Sequence, residues 1–414
     1  MAALLVLAAL CASALAQYQG NKVVRVIPQD EAEIHVISEL RNHKDIKVDF
    51  WAPPSRPRHP VDLHVTAHAY KRLARHLSAN RIPFTLQIPD VQRLVDQQKM
   101  ATAGRASASW YSTYHTLDQI YAELKNLYNT YYRNGNVRVF TVGKSYNGKD
   151  QKAIEIKGKR ARNKPVFFMN CGIHAREWVS PATCMYIAKQ LLSRYGKDAN
   201  VTSVLDKMDF VIMPVLNPDG YVFTWERQRF WRKTLKPNSG TFCVGTDPNR
   251  NWDYKWGAEG ASTDPCADDY RGPHAFSEIE VVNVAKYLKK LGDRIKGYMD
   301  IHAYSQFWMI PWGHTQTPSK DYQELMRVSK AGAEAIRSSG DNTVYKVGPS
   351  STVIYVNSGG SKDYTYGALG IKYSFALELR DTGKEGFLLP PEQIIPTALE
   401  TFNGVIAAAK EMEV

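Results

Sequence analysis

The stretch Val166-Phe-Phe-Met-Asn-Cys-Gly-Ile-His-Ala-Arg-Glu-Trp178 decides the fold of this 414-residue chain. Its first part, Val166 to Met169, is short, apolar and bounded by polar and turn residues, which is typical of a buried strand. His174 and Glu177 follow three residues apart, so that a helical turn would point both side chains at one place. Because open α/β sheets carry their active sites at strand ends, the stretch predicts such a sheet with a site at its edge.

Strand-like and helix-like segments alternate from Trp110 onward. Further short apolar runs, typical of buried strands, stand at 210–215, 298–301 and 373–379. Amphipathic periodicity predicts helices over 117–131, 182–195, 277–291 and 324–338. Ser277 and Glu280 have the spacing of a capping box at the start of the third helix. The alternation favours a large sheet covered by helices on both faces.

The chain begins with an apolar stretch. Met1 to Ala16 are almost wholly apolar and end in Ala14-Leu15-Ala16, the pattern of a secretory cleavage site. We therefore expect residues 1–16 to be a signal peptide and the mature chain to begin at Gln17. No apolar stretch reaches the ~20 residues that span a bilayer, so no transmembrane segment is expected.

The next hundred residues differ from the rest in their pattern of predicted strands and helices. From Asn21 to Gln98, strand-like pieces alternate with polar amphipathic stretches, which suits a small α+β unit. Small polar residues from Gln97 to Ser109 have the composition of a linker. Within it, Arg105 offers a single basic cleavage point and is interpreted as an activation site, with an ordinary linker as the alternative.

Composition and cysteine count limit the class of protein. With 44% hydrophobic and 23% charged residues the chain is globular, and its net charge of +12 forms no dense basic run, so no nucleic-acid partner is expected. Four cysteines remain after the signal peptide, which suggests two disulfides and allows three pairings. Closeness in sequence favours the pairs Cys171–Cys184 and Cys243–Cys266.

A second histidine follows another predicted strand, in Asp300-Ile301-His302. Together with His174 and Glu177 it would supply two imidazoles and one carboxylate. Such a set leaves one tetrahedral position open, as a catalytic zinc ion requires. The pair His174 and Glu177 taken alone is a weak signal, because His-x-x-Glu matches are common by chance.

Five longer motifs follow one another along the chain. They are Cys-Gly-Ile-His-Ala-Arg-Glu-Trp-Val-Ser-Pro-Ala at 171–182, Asn-Pro-Asp-Gly-Tyr at 217–221, Phe-Trp-Arg-Lys-Thr at 230–234, Asp-Pro-Asn-Arg-Asn-Trp at 247–252 and Glu-Leu-Arg-Asp-Thr-Gly at 378–383. With these motifs, essentially the whole chain resembles the pancreatic-type zinc metallocarboxypeptidases, the A and B subfamily. The Val-Ile-Pro-Gln-Asp at 26–30 resembles the opening of the family's propeptide.

The resemblance implies an α/β fold whose catalytic domain, residues 106–414, has a mixed, largely parallel sheet of about eight strands with helices on both faces. A small α+β activation propeptide, residues 17–105, would precede it. The protein is then a secreted, extracellular precursor of the digestive lumen or a secretory granule, and it hydrolyses the C-terminal peptide bond of peptides and proteins. A trypsin-like protease would activate it at Arg105, and a monomer is expected.

Carried over position by position, the resemblance implies that His174, Glu177 and His302 bind one zinc ion per catalytic domain. Asp247 would orient one of the imidazoles, since histidine ligands normally donate their second N–H. Glu378 would be the general base that takes a proton from water and passes it to the leaving amine.

Other matched residues would bind the substrate. Arg250 with Asn249 would grip the terminal carboxylate, which suits a guanidinium fork better than an ammonium. Tyr355 would close over the bound residue, and Arg232 would stabilise the oxyanion. The remaining residues implied for neighbouring subsites are Arg176, Tyr304 and Phe387.

The residue at the base of the specificity pocket departs from the family pattern. This position, seven after the mobile tyrosine, is apolar in the A type and aspartate in the B type, whereas here it is Lys362. A cation in a low-dielectric pocket attracts a C-terminal Glu or Asp. Alternatively, Lys362 extends out to solvent and leaves an A-type apolar site around Gly313, Ser350 and Ala376.

A function of another class is a non-catalytic binding protein on the same fold, since a fold alone does not imply activity. Every position matched to ligand, base and oxyanion stabiliser carries the expected residue type, which favours the enzyme.

Overall fold

The computed structural model describes residues 17–104, 109–132, 136–159 and 163–414. The predicted signal peptide and Arg105 lie outside these residues. The chain forms two compact units, the first of which contains the described residues up to Gly104 together with Asp381–Pro390. The second contains the described residues from Ser109 to Arg380 and from Pro391 to Val414. In the described part of the chain no helix has the length and apolarity needed to cross a membrane.

The first unit is a small α+β structure, as predicted. Its elements are β1 (Lys22–Val26), α1 (Glu31–Glu39), β2 (Val48–Ala52), β3 (Val61–Val65), α2 (Ala67–Ala79), β4 (Phe84–Ile88) and α3 (Val91–Gly104), with 3₁₀ turns at Leu40–Asn42 and Gly386–Leu388. The strands form one antiparallel sheet in the order β2-β3-β1-β4. Thr66 caps α2, which buries Ala69, Leu73 and Leu77 at intervals of four, so that one helix face lies in the core.

The prediction of a linker from Gln97 onward is wrong in part, because α3 continues to Gly104. Val91 and Val95 are buried one turn apart, and Gln98 is buried on the following turn. Alanine favours helix more than any other residue, so a run of small residues extends a helix that is already anchored by its apolar face.

The second unit has the mixed sheet of eight strands that was expected. Its strands are β5 (Val137–Lys144), β6 (Asp150–Ile156), β7 (Val166–Cys171), β8 (Asp209–Met213), β9 (Ile295–Ala303), β10 (Phe307–Ile310), β11 (Lys346–Pro349) and β12 (Tyr373–Leu379). They lie in the order β11-β10-β12-β9-β7-β8-β6-β5. The central strands β12, β9, β7 and β8 are mutually parallel, so their carboxyl ends meet at one edge.

Helices cover this sheet. They are α4 (Leu117–Tyr131), α5 (Val179–Arg194), α6 (Ala199–Lys207), α7 (Pro218–Glu226), α8 (Ile279–Leu291), α9 (Tyr322–Arg337), α10 (Ser350–Val353), α11 (Ser361–Gly367) and α12 (Ile394–Glu411), with 3₁₀ turns at Trp110–Ser112, Gly292–Arg294 and Pro391–Gln393. Phe168 on β7 and Tyr298 on β9 pack in one core with Val284 and Leu288 of α8. Their neighbours Phe167 and Met299, which are also buried, point to the opposite face.

The capping box predicted at Ser277 is absent. Helix α8 begins at Ile279, and Ser277 Oγ donates to Glu278 Oε1 at 2.8 Å instead. Glu280 turns inward, where its Oε1 accepts from the backbone N–H of Tyr146 at 2.9 Å. A tertiary partner therefore takes the carboxylate that a capping box would use locally.

Glu280 gives the second unit a pH-dependent stability. Burial raises its pKa from 4.5 to about 7, and Oε2 has no hydrogen-bond partner among the described residues. The contribution of Glu280 to the free energy of unfolding is therefore complete below the unfolded pKa of 4.5. It is lost as the pH rises to about 7, which lowers the free energy of unfolding by roughly 3 kcal/mol. We expect Glu280→Gln to flatten the free energy of unfolding across this window in urea titrations. The exposed Glu259→Gln serves as control, and an equally steep Glu280→Gln profile would contradict the assignment.

Two disulfides lie within the second unit. Cys171, the last residue of β7, is bonded to Cys184 in α5, and Cys243 is bonded to Cys266 in the long segment between α7 and α8. The first bond joins the end of a central strand to the helix that follows it. It therefore brackets the turn that carries His174 and Glu177.

Candidate active site

The turn between β7 and α5 places His174 and Glu177. Gly172 begins it with φ of +61°, a conformation that glycine adopts without steric cost. A side chain there would also meet Pro181 at 3.1 Å and Pro214 O at 3.2 Å. The tight turn therefore requires glycine.

His302 approaches from the neighbouring strand. β9 is parallel to β7, with Ile301 in register with Cys171, so His302 lies at the same carboxyl edge of the sheet as the turn. The hydroxyl of Ser180 ties the two together, because it accepts from the Gly172 N–H and donates to the Ile301 carbonyl.

His174, Glu177 and His302 converge on one point. Among the described residues they form a group whose candidate ligand atoms all lie within 4.8 Å of one another, and all three are buried. The Nδ1 atom of His174 lies 2.7 Å from Glu177 Oε1 and 3.1 Å from His302 Nδ1. His302 Nδ1 lies 3.2 Å from Glu177 Oε2. This arrangement can hold a metal ion.

Two aspartates fix the outer nitrogens of these imidazoles. His174 Nε2 lies 3.1 Å from Asp247 Oδ1, and His302 Nε2 lies 3.0 Å from Asp300 Oδ2. Each carboxylate favours a proton on the outer nitrogen, which leaves Nδ1 as an inward-facing lone pair. The sequence reasoning missed Asp300. The available signal was its position two residues before His302 on a strand, which places both side chains on one face.

The electrostatics of the cluster keep its carboxylates ionised. Burial alone would raise the pKa of Glu177, but His174 and His302 outweigh it and hold the pKa well below the usual value. Burial is likewise outweighed at Asp247, where Arg232 and His174 hold the pKa well below its usual value. Burial would lower the pKa of His302, yet Asp300 and Glu177 raise it well above the usual value. The surrounding carboxylates therefore favour a positive charge at this point, which a second proton on His302 supplies without a metal and a bound cation would supply in its place.

Glu378 stands beside the cluster on β12. Its Cα is in register with that of His302 on the adjacent parallel strand. Burial raises its pKa to about 8, although His302 and Arg232 act in the opposite direction. Arg380, two residues further along the chain, bonds elsewhere, because its Nε donates to Glu400 Oε1 at 2.8 Å.

Arg232 also lies beside the cluster. Its Nη2 donates to Asp247 Oδ2 at 2.8 Å, and its Nη1 lies 3.9 Å from Glu177 Oε1. The backbone carbonyl of Arg232 accepts from the N–H of Ala175, which fixes this segment against the metal-site turn. Burial lowers the pKa of Arg232, but Asp247 and its other neighbours raise it above its usual value, so the guanidinium stays charged.

Asn249 and Arg250 are neighbours in sequence, and Asn249 Nδ2 lies 3.2 Å from His302 Nε2. Arg250 Nη2 donates to the hydroxyl of Tyr355 at 3.3 Å, and its Nε donates to Gly260 O at 3.0 Å. Asn249 Oδ1 accepts from the N–H of Ser361 at 2.8 Å. Arg250 Nη1 also donates to Asn249 O at 3.0 Å, so among the described residues two of the five N–H groups of the guanidinium remain for a carboxylate.

A single cavity of about 60 Å³ connects these groups. It is lined by His174, Arg232, Asn249, Arg250, His302, Met309, Ser350, Ile354, Tyr355, Asn357, Gly360, Ser361, Lys362, Asp363, Ala376 and Glu378. Two histidines from the predicted metal site, the expected base, both arginines and the pocket lysine thus share one space. Ser350 and Ala376 line it as well.

Lys362 is inside this cavity and does not extend to solvent. Only 6% of the residue is exposed, and its Nζ donates to Asp363 Oδ1 at 2.6 Å. Asp363 also accepts from the N–H groups of Gly313 at 2.9 Å and His314 at 3.1 Å, while His314 Nδ1 lies 2.8 Å from Oδ2. Burial raises the pKa of Asp363, but Lys362 and these donors outweigh it and bring the pKa to about 2. The sequence reasoning missed both Asp363 and His314.

Three of the predicted subsite residues do not line the cavity. Arg176 is buried and its Nη1 lies 3.2 Å from Asp268 Oδ2. Tyr304 follows the end of β9 and is 6% exposed. Phe387 belongs to the first unit, where its ring centroid lies 5.2 Å from that of Trp51.

Two family models match most of the chain. Residues 120–404 match the family model described as "Zinc carboxypeptidase", and residues 24–98 match the one described as "Carboxypeptidase activation peptide". Carboxypeptidase A2 of Mus musculus is 41% identical over 94% of this chain and 93% of its own length. Carboxypeptidase A1 of Bos taurus is 40% identical over 98% of this chain and 97% of its own length.

A solved structure extends the similarity to both units. The crystal structure of thrombin activatable fibrinolysis inhibitor is 36% identical and has a TM-score of 0.88, with 95% of this chain and 98% of that chain covered. The sequence matches cover both the activation peptide and the enzyme, and the second unit has the mixed eight-stranded sheet. Together they identify the family of the chain. The chain belongs to the zinc carboxypeptidase family and is a metallocarboxypeptidase zymogen of the A/B type.

Proposed function

We propose that the second unit removes C-terminal residues from peptides and prefers acidic ones, using His174, Glu177 and His302 for zinc and Glu378 as the base. The observation that carries the proposal is the single cavity in which two of the three convergent ligands, a carboxyl group of raised pKa and three cationic side chains meet. Groups with these roles, held within reach of one another, are what peptide hydrolysis at a chain end requires.

The donor set fits zinc. Two imidazole nitrogens and a carboxylate are borderline and hard ligands of the kind found in catalytic zinc sites, and three protein ligands leave a position for water or substrate. Asp247 and Asp300 lie against the outer nitrogens of the two imidazoles and so hold their rings in place. When bound, zinc supplies Lewis acidity, which makes water more acidic and polarises a carbonyl oxygen.

The chain's own residues account for the remaining steps. The Arg250 guanidinium and the Asn249 amide bind the terminal carboxylate and so place the last peptide bond over the cluster. The Glu378 carboxylate accepts a proton from the attacking water and returns it to the leaving amine. Arg232 donates to the carbonyl oxygen as negative charge develops there, a contribution of about 3 kcal/mol for one such donor in other enzymes.

Acidic preference is supported by the surroundings of Lys362. In the described part of the chain its ammonium has one partner, Asp363, so two of its three N–H groups remain for a ligand. The charge of Asp363 is shared among backbone amides and His314 as well as Lys362. A C-terminal Glu or Asp would therefore meet a cation that is only partly compensated.

One observation favours the alternative, an A-type preference for apolar or aromatic C-terminal residues. Met309, Ile354 and Ala376 add apolar surface to the same cavity, and the Lys362–Asp363 pair is neutral as a whole. An apolar or aromatic side chain of the substrate would then be bound only through the burial of its apolar surface. The two preferences differ in whether the ammonium itself contacts the substrate.

We also propose that the protein is secreted as a monomer and that a trypsin-like protease cuts it at Arg105. Support comes from the small-residue pattern after the apolar N-terminus, the two disulfides and the match to an activation peptide.

One experiment tests the proposed activity. The purified precursor is treated with trypsin, the new N-terminus is sequenced, and hydrolysis of otherwise identical peptides ending in Glu, Phe or Arg is measured before and after. We expect activity to rise after cleavage at Arg105 and to be greatest on the peptide ending in Glu. Faster removal of Phe would replace the acidic preference with the A-type one, and no hydrolysis of any peptide would favour a non-catalytic binding protein.

A further inference from the structure

One motif of the sequence has no part in the catalytic site. Asn200-Val201-Thr202 is an Asn-x-Thr acceptor sequence without proline at its centre, and no other Asn-x-Ser/Thr sequence occurs in the 414 residues. We propose that Asn200 carries an N-linked glycan. The inference rests on the proposed secretion, because only chains that enter the secretory pathway meet the donor of the glycan.

The acceptor side chain lies on the surface. Asn200 is the second residue of α6 and is exposed, and its backbone N–H donates to Asp198 Oδ1 at 2.9 Å. The exposed carboxamide is therefore compatible with the folded helix after modification. A bulky, hydrated group at this position has no core to displace.

The nitrogen that would bear the sugar is available. Asn200 Oδ1 lies 2.8 Å from Lys410 Nζ, and an ammonium can only donate, so the oxygen of the carboxamide must face Lys410. Nδ2 then points away and has no hydrogen-bond partner among the described residues. The bond to Lys410 survives attachment, since the glycan replaces one hydrogen on Nδ2 and leaves the oxygen as acceptor.

A groove beside Asn200 provides room for the first sugars. It has a volume of about 320 Å³ and lies between α5, α6, α9 and α12. Its polar rim contains Arg194, Asp198, Asn403 and Lys410, which can exchange hydrogen bonds with sugar hydroxyls and the acetamido group. None of these residues lines the catalytic cavity. The glycan should therefore not change access to the active site.

The glycan would be attached by transfer of an oligosaccharide to the side chain of Asn200. The co-substrate is a lipid-linked oligosaccharide diphosphate. The Asn200 Nδ2 atom forms a bond to C1 of the first N-acetylglucosamine as the bond from C1 to the phosphate oxygen breaks. Nδ2 gives up one proton, which balances the negative charge gained by the lipid diphosphate as it leaves with the electron pair of the broken bond. No oxidant or reductant is needed.

The 414-residue chain, including residues 1–16, is produced in cultured animal cells. Medium and lysate are examined by intact-mass spectrometry with and without peptide N-glycosidase F. We expect protein from the medium to carry one oligosaccharide, which the enzyme removes while converting Asn200 to aspartate. Asn200→Gln and Thr202→Ala should abolish the mass shift. Thr202→Ser and the adjacent Ser203→Ala should retain it, and peptidase activity should be the same with and without the glycan.

A second version of the chain distinguishes failure of the proposed glycan from failure of the proposed secretion. The same chain is also produced with residues 1–16 replaced by an established signal peptide. If only this version reaches the medium and bears the glycan, the proposed native signal fails and the glycosylation site stands. If secreted protein from both versions has the unmodified mass, the proposal of a glycan at Asn200 is overturned.

Discussion

Replacing Glu378 with glutamine is expected to lower kcat for C-terminal hydrolysis by about 10²- to 10⁴-fold, the usual contribution of a general base. The change keeps the size of the side chain on β12 and removes its ability to accept a proton. Because the His174, Glu177 and His302 side chains are untouched, zinc content and KM should change little. Steady-state kinetics of the trypsin-treated variant on the preferred peptide gives both constants.

The exposed Glu392→Gln is a matched control, since it makes the same chemical change outside the cavity. It should have wild-type kinetics. A Glu378→Gln enzyme with undiminished kcat would remove Glu378 from the role of base. A variant that lost both zinc and activity would instead assign Glu378 to metal binding.

Replacing Lys362 with methionine is expected to invert the preference of the enzyme for the terminal residue. The methionine keeps an unbranched apolar stem in the cavity wall and removes the ammonium that bonds to Asp363. We expect kcat/KM for peptides ending in Glu to fall by about 10- to 100-fold, which corresponds to the loss of one partly buried charge contact, while the value for Phe stays the same or rises.

The neighbouring Asp363 makes the choice of variant important. Its carboxylate keeps the amides of Gly313 and His314 and the His314 ring as partners when Lys362 is gone, so it is not left as an unpaired buried charge. Circular dichroism and zinc content of the Lys362→Met enzyme check that the fold is retained. An unchanged ratio of the Glu and Phe values would show that the ammonium does not contact the substrate.

Much of the fold could be predicted from local pattern. The runs at 166–169 and 373–379 correspond to β7 and β12, because strands buried on both faces are apolar throughout and stand out against polar turns. The periodicity over 117–131 matches α4. In these segments the side-chain pattern and the tertiary environment agree.

Other features depend on partners distant in sequence. Glu280 has the spacing of a capping residue but bonds to Tyr146, which is 134 residues away. The helix α3 runs through a segment with linker composition because the buried Val91 and Val95 anchor its first turns. Local sequence carries no record of such contacts, so a prediction from pattern alone goes wrong at these places.

In the site, too, some residues could be predicted from the sequence and others could not. Motifs indicated His174, Glu177, Asp247 and Glu378, and the structure brings them together around His302. The residues that hold the predicted ones, Asp300 at His302 and Asp363 at Lys362, were missed. Each lies within two residues of the group it holds, but its role depends on side-chain directions that only the folded chain defines.

The central claim is that His174, Glu177 and His302 bind one zinc ion. The most direct measurement is the zinc content of the purified, dialysed protein, compared with that of His174→Ala, His302→Ala and the control His274→Ala, whose side chain is exposed away from the cluster. The account predicts one zinc per chain in the wild type and the control, and loss of zinc together with activity in the two cluster variants. Full retention of zinc by His302→Ala would contradict it.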